Sequence, residues 1–317
     1  MSINKGESRK PTLHARNRNK EQYDLTKMVA TTPELNAYIQ PNKQGQPSIN
    51  FSDPKAIKVL NRAILQHYYG IGYWNFPDGY LCPPIPGRAE YIHRVADLLA
   101  QENNGNVPTG KRVQCLDVGT GASCIYPVIG TIEYQWQFIA SDISKEAIQS
   151  AQQIIEKNAQ LRDCIALRHQ SSSNSIFEGI LQPDERITLS ICNPPFHASV
   201  EEATKGTRRK VKNLTGQQTT TPTLNFGGIK DELIYIGGEY QFIQNMMVES
   251  RAIASNCLWF TCLVSKENNL KRLHRFLQQQ RPTDIQVLPI QTGNKTSRIL
   301  AWTYLKERNR RKWLSDL

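Results

Sequence analysis

Asn193, Pro194, Pro195 and Phe196 stand together directly after an apolar run, Ile187-Thr188-Leu189-Ser190-Ile191-Cys192. The run reads as a buried strand. Two consecutive prolines stop it, because neither can donate to a sheet ladder. An amide side chain, bare carbonyls and an aromatic ring are thereby left at a strand's carboxyl end, where open α/β sheets place their ligands. Methylation of a planar amino group wants such a set. The exocyclic nitrogen of adenine is a poor nucleophile, since its lone pair is delocalised into the ring. Asn193 Oδ1 and the Pro194 carbonyl, aimed at its two hydrogens, would favour a pyramidal nitrogen and free the lone pair. Phe196 would stack on the base and fix its plane. Fixed acceptors of this kind stabilise charge as it develops on the nitrogen. The plain alternative is that the four residues only punctuate a strand-to-loop junction.

A second constellation lies upstream. Asp117-Val118-Gly119-Thr120-Gly121-Ala122-Ser123 follows an apolar run from Val113 to Val118 and precedes a helical pattern from about Ile125. Glycines at a strand-to-helix turn let the backbone approach a ligand closely. The next strand, Gln137–Ser141, ends at Asp142, about twenty residues beyond the loop, where an acid can accept hydrogen bonds from both hydroxyls of a ribose. Helix Lys145–Asn158 then leads to a third strand, Ile165–Arg168. Such a βαβ unit suits a dinucleotide or S-adenosylmethionine. Cys124 stands where the dinucleotide fingerprint has its third glycine or alanine, which counts against NAD. A dehydrogenase also has no need of Asn-Pro-Pro-Phe on the fourth strand. A methyl donor whose adenosine lies over Gly119–Gly121 would bring its methyl group to that fourth strand end. Arg88 opens a further helix, with Tyr91, Ile92, Val95, Leu98 and Leu99 as its apolar stripe. It could pair a ligand carboxylate bidentately, or it could simply be a surface arginine.

The elements that hold these residues fit a chain of 317 residues with 39% hydrophobic content, which is enough for a sizeable core. No run approaches the eighteen or so apolar residues of a membrane span, and the basic N-terminus has no apolar segment that would make it a secretory signal. Seven cysteines are scattered singly, without a CxxC pair. That spacing suggests reduced core thiols in a cytoplasmic protein and argues against a zinc site. A formal net charge of +11 points to a polyanionic partner, most often nucleic acid.

Residues 1–20 read as a flexible basic arm, with Lys5, Arg9, Lys10, Arg16, Arg18 and Lys20 against Glu7. Residues 21–102 form a small helical extension that ends with the Arg88 helix. A Gly/Asn/Pro linker over 103–111 marks the expected boundary, and 103–307 is the main α/β domain. Residues 197–238 read as an irregular insertion. Lys205, Arg208, Arg209, Lys210 and Lys212 lie within it, directly after the catalytic motif, so they could hold an RNA strand where its base is needed. A solvated charged loop is the simpler account. Gly227-Gly228 and Gly237-Gly238 suggest tight turns or a lid hinge. Helix Glu239–Ala254, strand Leu258–Val264, helix Glu267–Gln279 and strands near Ile285–Leu288 and Arg298–Leu305 complete the sheet. Residues 308–317 read as a basic tail.

Five stretches together carry a resemblance: Pro86-Gly87-Arg88-Ala89-Glu90-Tyr91-Ile92, Asp117 to Pro127, Asn193-Pro194-Pro195-Phe196, Gly227-Gly228-Ile229 and Arg298-Ile299-Leu300-Ala301-Trp302. In their order and spacing the chain resembles the ribosomal RNA large-subunit methyltransferase F family from about residue 20 to 305. These are N6-adenine methyltransferases acting on 23S rRNA, related to the eukaryotic methyltransferase-like RNA adenine methylases. The resemblance implies a Rossmann-like, S-adenosylmethionine-dependent α/β fold with a small N-terminal helical extension. It places the donor about Asp117, Gly119, Thr120, Gly121 and Ser123, with Asp142 on the ribose and Arg88 on the methionyl carboxylate. Ser171, after the third strand, would also touch the donor, and Asn193 would lie between donor and base. The implied partner is 23S rRNA or a large-subunit assembly intermediate. No metal and no membrane are implied, and a monomer is expected.

Three other readings compete. A protein glutamine methyltransferase poses the same amide-nitrogen problem, but such enzymes usually carry Tyr where Phe196 stands. Methylation of adenine in DNA would use the same four residues. A non-catalytic rRNA-binding assembly factor would retain the basic surface without needing an intact glycine loop, Asp142 and Asn193.

Overall fold

Five apolar runs separated by helices give five parallel strands, as the alternation requires. In the computed structural model, which describes residues 13–21, 23–199, 233–292 and 295–317, they form most of a seven-stranded sheet. A short antiparallel pair, β1 (Ile39–Pro41) and β2 (Pro47–Ile49), lies outside it. The main strands are β3 (Gln114–Val118), β4 (Gln137–Asp142), β5 (Ile165–His169), β6 (Ile187–Cys192), β7 (Cys257–Val264), β8 (Asp284–Thr292) and β9 (Lys295–Thr303). Their order is β5-β4-β3-β6-β7-β9-β8. Strands β3 to β7 are parallel, and β9 inserts antiparallel between β7 and the edge strand β8. The α/β class expected from the sequence is the one found. The last two strands start earlier and pair longer than expected, because Pro289 breaks the apolar signal of β8 but is tolerated on an edge strand.

Helices α1 (Leu25–Thr31), α2 (Pro54–Tyr69) and α3 (Ile85–Gln101) precede the sheet. Asp53 caps α2 by accepting the Lys55 amide hydrogen, and Gly70, at φ +68°, ends it. Helices α4 (Ile125–Tyr134), α5 (Lys145–Glu156) and the short α6 (Ala159–Arg162) connect β3, β4 and β5. Beyond β6 come α7 (Gly238–Ser250), α8 (Glu267–Gln279) and α9 (Glu307–Ser315).

Three boundaries differ from the sequence reading. The arm expected to be flexible through residue 20 is anchored from His14 onward. There His14 and Arg16 reach Asp97 at 2.8 and 2.6 Å, and Arg18 pairs with Glu133 at 2.9 Å. The expected boundary at 103–111 is not a break in packing, since one apolar cluster runs from Met28 through Leu99 and Val113 to Leu314. The basic tail is helix α9, whose buried Arg310 pairs with Glu102 at 2.5 Å and Asp284 at 3.4 Å. In each case the cations face acids brought close by the fold, which linear charge counting does not see.

Candidate active site

The chain runs from β3 outward to β5 and then returns to lay β6 against the other side of β3. That reversal makes the carboxyl ends of β3 and β6 the switch point at which open sheets hold ligands. A cavity of about 390 Å³ opens there. Gly119, Thr120, Gly121, Ser123, Asp142, Arg88, Asn193, Pro194 and Pro195 all line it.

The glycine loop is held from behind. The amides of Gly119 and Thr120 both donate to the Ser141 carbonyl at 2.9 Å. Gly119 and Gly121 take φ of +72° and +65°, open to glycine without strain. Asp142 Oδ2 accepts from the Gly121 amide at 2.8 Å, and Oδ1 accepts from the Ser144 amide at 2.9 Å. Burial raises the Asp142 carboxyl above its ordinary range, and the Ser144 and Gly121 amides oppose that shift. The indole N–H of buried Trp74 donates to the Ser123 carbonyl at 2.9 Å, bracing the loop from the N-terminal extension. Cys124, at the third-glycine position, caps α4 at φ +48°, a conformation that a side chain makes unfavourable.

Arg88 is buried rather than on the surface. One of its guanidinium nitrogens donates to the Tyr126 hydroxyl at 2.7 Å, and its charge lies 5.3 Å from that ring's centre. Its Nε has no hydrogen-bond partner, and no carboxylate pairs with it among the described residues. A buried cation without a counter-ion is costly, so the site is completed by an anionic ligand group. Asp117 is also wholly buried, and neither of its oxygens is hydrogen-bonded. Burial, with the Asp142 charge adding to it, pushes its carboxyl up to about 7 against the nearby Thr120 hydroxyl and Arg88. Asp117 lies beneath the loop and does not line the cavity.

At the other end, every residue of β6 is buried, and the strand stops at Cys192 as the prolines require. Asn193 Oδ1 is buried with no hydrogen-bond partner, an acceptor waiting for a donor. Phe196 is half-buried and is not part of the cavity wall. That place belongs to Ile234, Tyr235 and Phe242, which follow the insertion. The His197 amide donates to the Leu233 carbonyl and the Tyr235 amide to the His197 carbonyl, each at 3.0 Å, so both ends of the insertion are pinned together. Ser171 is exposed and does not line the cavity, whereas its neighbours Gln170, Ser173 and Ser175 do. Lys205, Arg208, Arg209, Lys210 and Lys212 lie outside the described residues, as do Gly227 and Gly228.

The sequence hid four aromatic residues. Tyr91 reads as part of an apolar stripe, yet its hydroxyl contacts the end of β6. Tyr126 sits in the glycine-loop stretch with no sign that it orients Arg88. Tyr235 and Phe242 are far from Asn193 in sequence and reach it only through the His197 bridge. Taken together, the cavity offers a guanidinium for a carboxylate, an acid for a ribose, a glycine loop, and an unpaired amide oxygen.

Comparisons with known proteins agree with that chemistry. The family described as RNA methyltransferase matches residues 7–306. Ribosomal RNA large subunit methyltransferase F of Cytophaga hutchinsonii is 46% identical over 306 residues, 96% of this chain and 95% of that protein. The protein of the same name from Pseudomonas aeruginosa is 48% identical over 306 residues, 96% of this chain and 91% of its own. Among solved structures, the catalytic domain of human METTL16 in complex with the MAT2A 3′UTR hairpin 1 matches with a TM-score of 0.79. It is 28% identical, and the match covers 93% of this chain and 96% of that one.

Proposed function

The chain belongs to the RNA methyltransferase family, and on that premise we propose that it transfers a methyl group from S-adenosylmethionine to the N6 amino group of one adenine in 23S rRNA. The observation that carries the reading is Asn193 Oδ1, a buried acceptor without a partner in the same cavity as the glycine loop. The relatives named for ribosomal RNA large-subunit methylation favour rRNA as the substrate. The protein is taken to act in the cytoplasm as a monomer, on rRNA or a large-subunit assembly intermediate.

The residues present fit the donor. Arg88, with its unpaired Nε, would take the methionyl carboxylate. Asp142 keeps acceptor capacity beyond its two backbone bonds and would take the ribose hydroxyls. The bound donor supplies a methyl group on a positively charged sulfur. Asn193 Oδ1 and the Pro194 carbonyl accept the two hydrogens of the adenine amine and turn its lone pair out of the ring. The nitrogen then forms its bond to the methyl carbon as the carbon–sulfur bond breaks, and one proton leaves to solvent. No side chain has to remove that proton before attack. Positioning and fixed acceptors supply the rate. Lys205, Arg208, Arg209, Lys210 and Lys212 would add phosphate contacts beside the site.

Nucleoside analysis tests this after purified protein and S-adenosylmethionine act on unmodified 23S rRNA. N6-methyladenosine should appear at one site. Asn193→Ala should slow its formation on the order of 10²-fold, as deleting one preorganised polar group does. Unchanged turnover in that variant would rule the mechanism out. Methylation of DNA or of a protein glutamine in preference to rRNA would replace the substrate.

A further inference from the structure

We propose that Tyr235 and Phe242 form the aromatic corner that receives the target base, a planar purine extruded from its RNA, the role that sequence alone gives to Phe196. The inference rests on the methyl-transfer reading above. Four aromatic side chains line the cavity: Tyr80, Tyr126, Tyr235 and Phe242. Two are engaged on the donor half. The Tyr80 hydroxyl donates to Glu146 at 3.0 Å, on the helix that begins just after Asp142, and Tyr126 is held by Arg88. Tyr235 and Phe242 remain. The hydrogen bonds between Tyr235, Leu233 and His197 place them on the wall that continues from Asn193, Pro194 and Pro195.

Their rings meet edge to face, with centroids 5.1 Å apart and planes at 84°. Two planes near a right angle make a corner. One ring can lie flat on a base while the other closes its edge, the two contacts that aromatic rings favour. Every base has a flat face for such stacking. The Asn245 amide donates to the Tyr235 hydroxyl at 2.7 Å. That bond fixes the ring and leaves the hydroxyl's own proton for an acceptor nitrogen of the base. Gly237 and Gly238, at φ +85° and +66°, turn the chain from Tyr235 into helix α7. A Cβ on Gly238 would come within 3.2 Å of the Ala198 amide nitrogen, so the wall sits tightly on the segment that follows Phe196. Phe196 itself faces away from the cavity wall.

The test uses the full chain as wild type, Tyr235→Ala, Tyr235→Phe and Phe242→Ala. It measures kcat and KM for RNA, donor affinity by calorimetry, and fluorescence of RNA carrying 2-aminopurine in place of the methylated adenine. Each alanine variant should lower kcat/KM for RNA at least tenfold, leave the donor Kd within twofold, and lose the quenching that stacking gives in the wild type. Tyr235→Phe should keep the quenching and most of the rate. Values of kcat/KM within twofold of wild type in both alanine variants would overturn the proposal, as would a loss confined to donor affinity. Should an alanine variant fail to fold, Tyr235→Leu and Phe242→Leu keep the volume and remove the planar ring. A wild-type protein that methylates no RNA would instead sink the reading on which the proposal rests.

Discussion

The hydroxyl of Tyr91, on a fully buried side chain of helix α3, lies 3.4 Å from the Cys192 carbonyl oxygen and 3.0 Å from the Thr261 hydroxyl. Thr261 in turn donates to the Ser190 carbonyl at 2.6 Å. One phenol from the N-terminal extension therefore bonds to the last residue of β6, directly before Asn193. Tyr91→Phe keeps the ring and its edge-to-face contact with Tyr126 but removes that tie. Stability should fall by about 1 kcal/mol, the usual net worth of a hydrogen bond. Turnover should fall by about tenfold, since small misplacements of a reacting group are amplified in rate. Donor affinity should stay within twofold. Thermal melting and single-turnover kinetics check both parts, and unchanged turnover would show that Asn193 is positioned by β6 alone.

Arg88 gives a second prediction. Arg88→Ala should weaken donor binding by roughly 10- to 100-fold, the range for losing a charged hydrogen bond. Arg88→Lys keeps the charge but not the planar fork, and it cannot both hold Tyr126 and reach a carboxylate. It should recover only part of the loss. Calorimetric titration with S-adenosylhomocysteine measures this. Equal affinity in wild type and the alanine variant would place the carboxylate elsewhere.

Stability against pH should show two opposed slopes. Asp117 is pushed up to about 7 by burial, so between its ordinary value and about 7 the folded state holds a proton that the unfolded state has lost. Stability from this group falls as pH rises through that range. His93 runs the other way. Burial, with the His14 and Arg16 charges beside it, pulls its imidazole down to about 3, so the unfolded state binds the extra proton between about 3 and 6.5. Stability from His93 is present above that range and is lost as pH falls through it. In the wild type the two partly cancel. Asp117→Asn should leave stability rising with pH from about 4 to 6.5, and His93→Gln should leave it falling. Melting temperatures from pH 4 to 8 check the signs.

The anchored N-terminal segment yields a fourth. Glu90 is wholly buried, and its carboxylate accepts from the His14 amide at 2.8 Å, the Asn17 side chain at 3.3 Å and Arg94 at 2.9 Å. A chain shortened to begin at residue 21 would leave Glu90 with Arg94 alone. The loss should be about 2 kcal/mol, the scale for under-satisfying a buried charge. Glu90→Gln should recover part of it in the shortened chain while destabilising the full one. Chemical denaturation of all four proteins forms the cycle, and simple additivity would show that the segment does not act through Glu90.

The sheet was legible where apolar runs ended in marked residues. Cys192 before Asn193-Pro194 and Val118 before Gly119 gave both strand ends that frame the cavity, and Asp142 gave a third. Side-chain partnership was not legible. Nothing local says that Tyr91 turns its hydroxyl to a strand far along the chain, or that Arg310 pairs with Glu102 and Asp284. The place given to Phe196 shows the same limit. Adjacency to Pro195 fixes where its backbone goes, but the ring's direction depends on the chain leaving the strand, and the cavity wall is taken by residues arriving from helix α7.

The position of β6 between β3 and β7 has a consequence during synthesis. The ribosome delivers β3, β4 and β5 first, and these carry the glycine loop and Asp142. Their neighbour on the inner side, pairing Cys115 with Leu189, emerges later, and β7 and the β8–β9 hairpin later still. A nascent chain released before β6 would expose one open edge of a parallel sheet with half a site on it. Donor binding by chains stalled at successive lengths should therefore switch on in a single step, when the strand that carries Asn193 has cleared the exit tunnel and closed that edge.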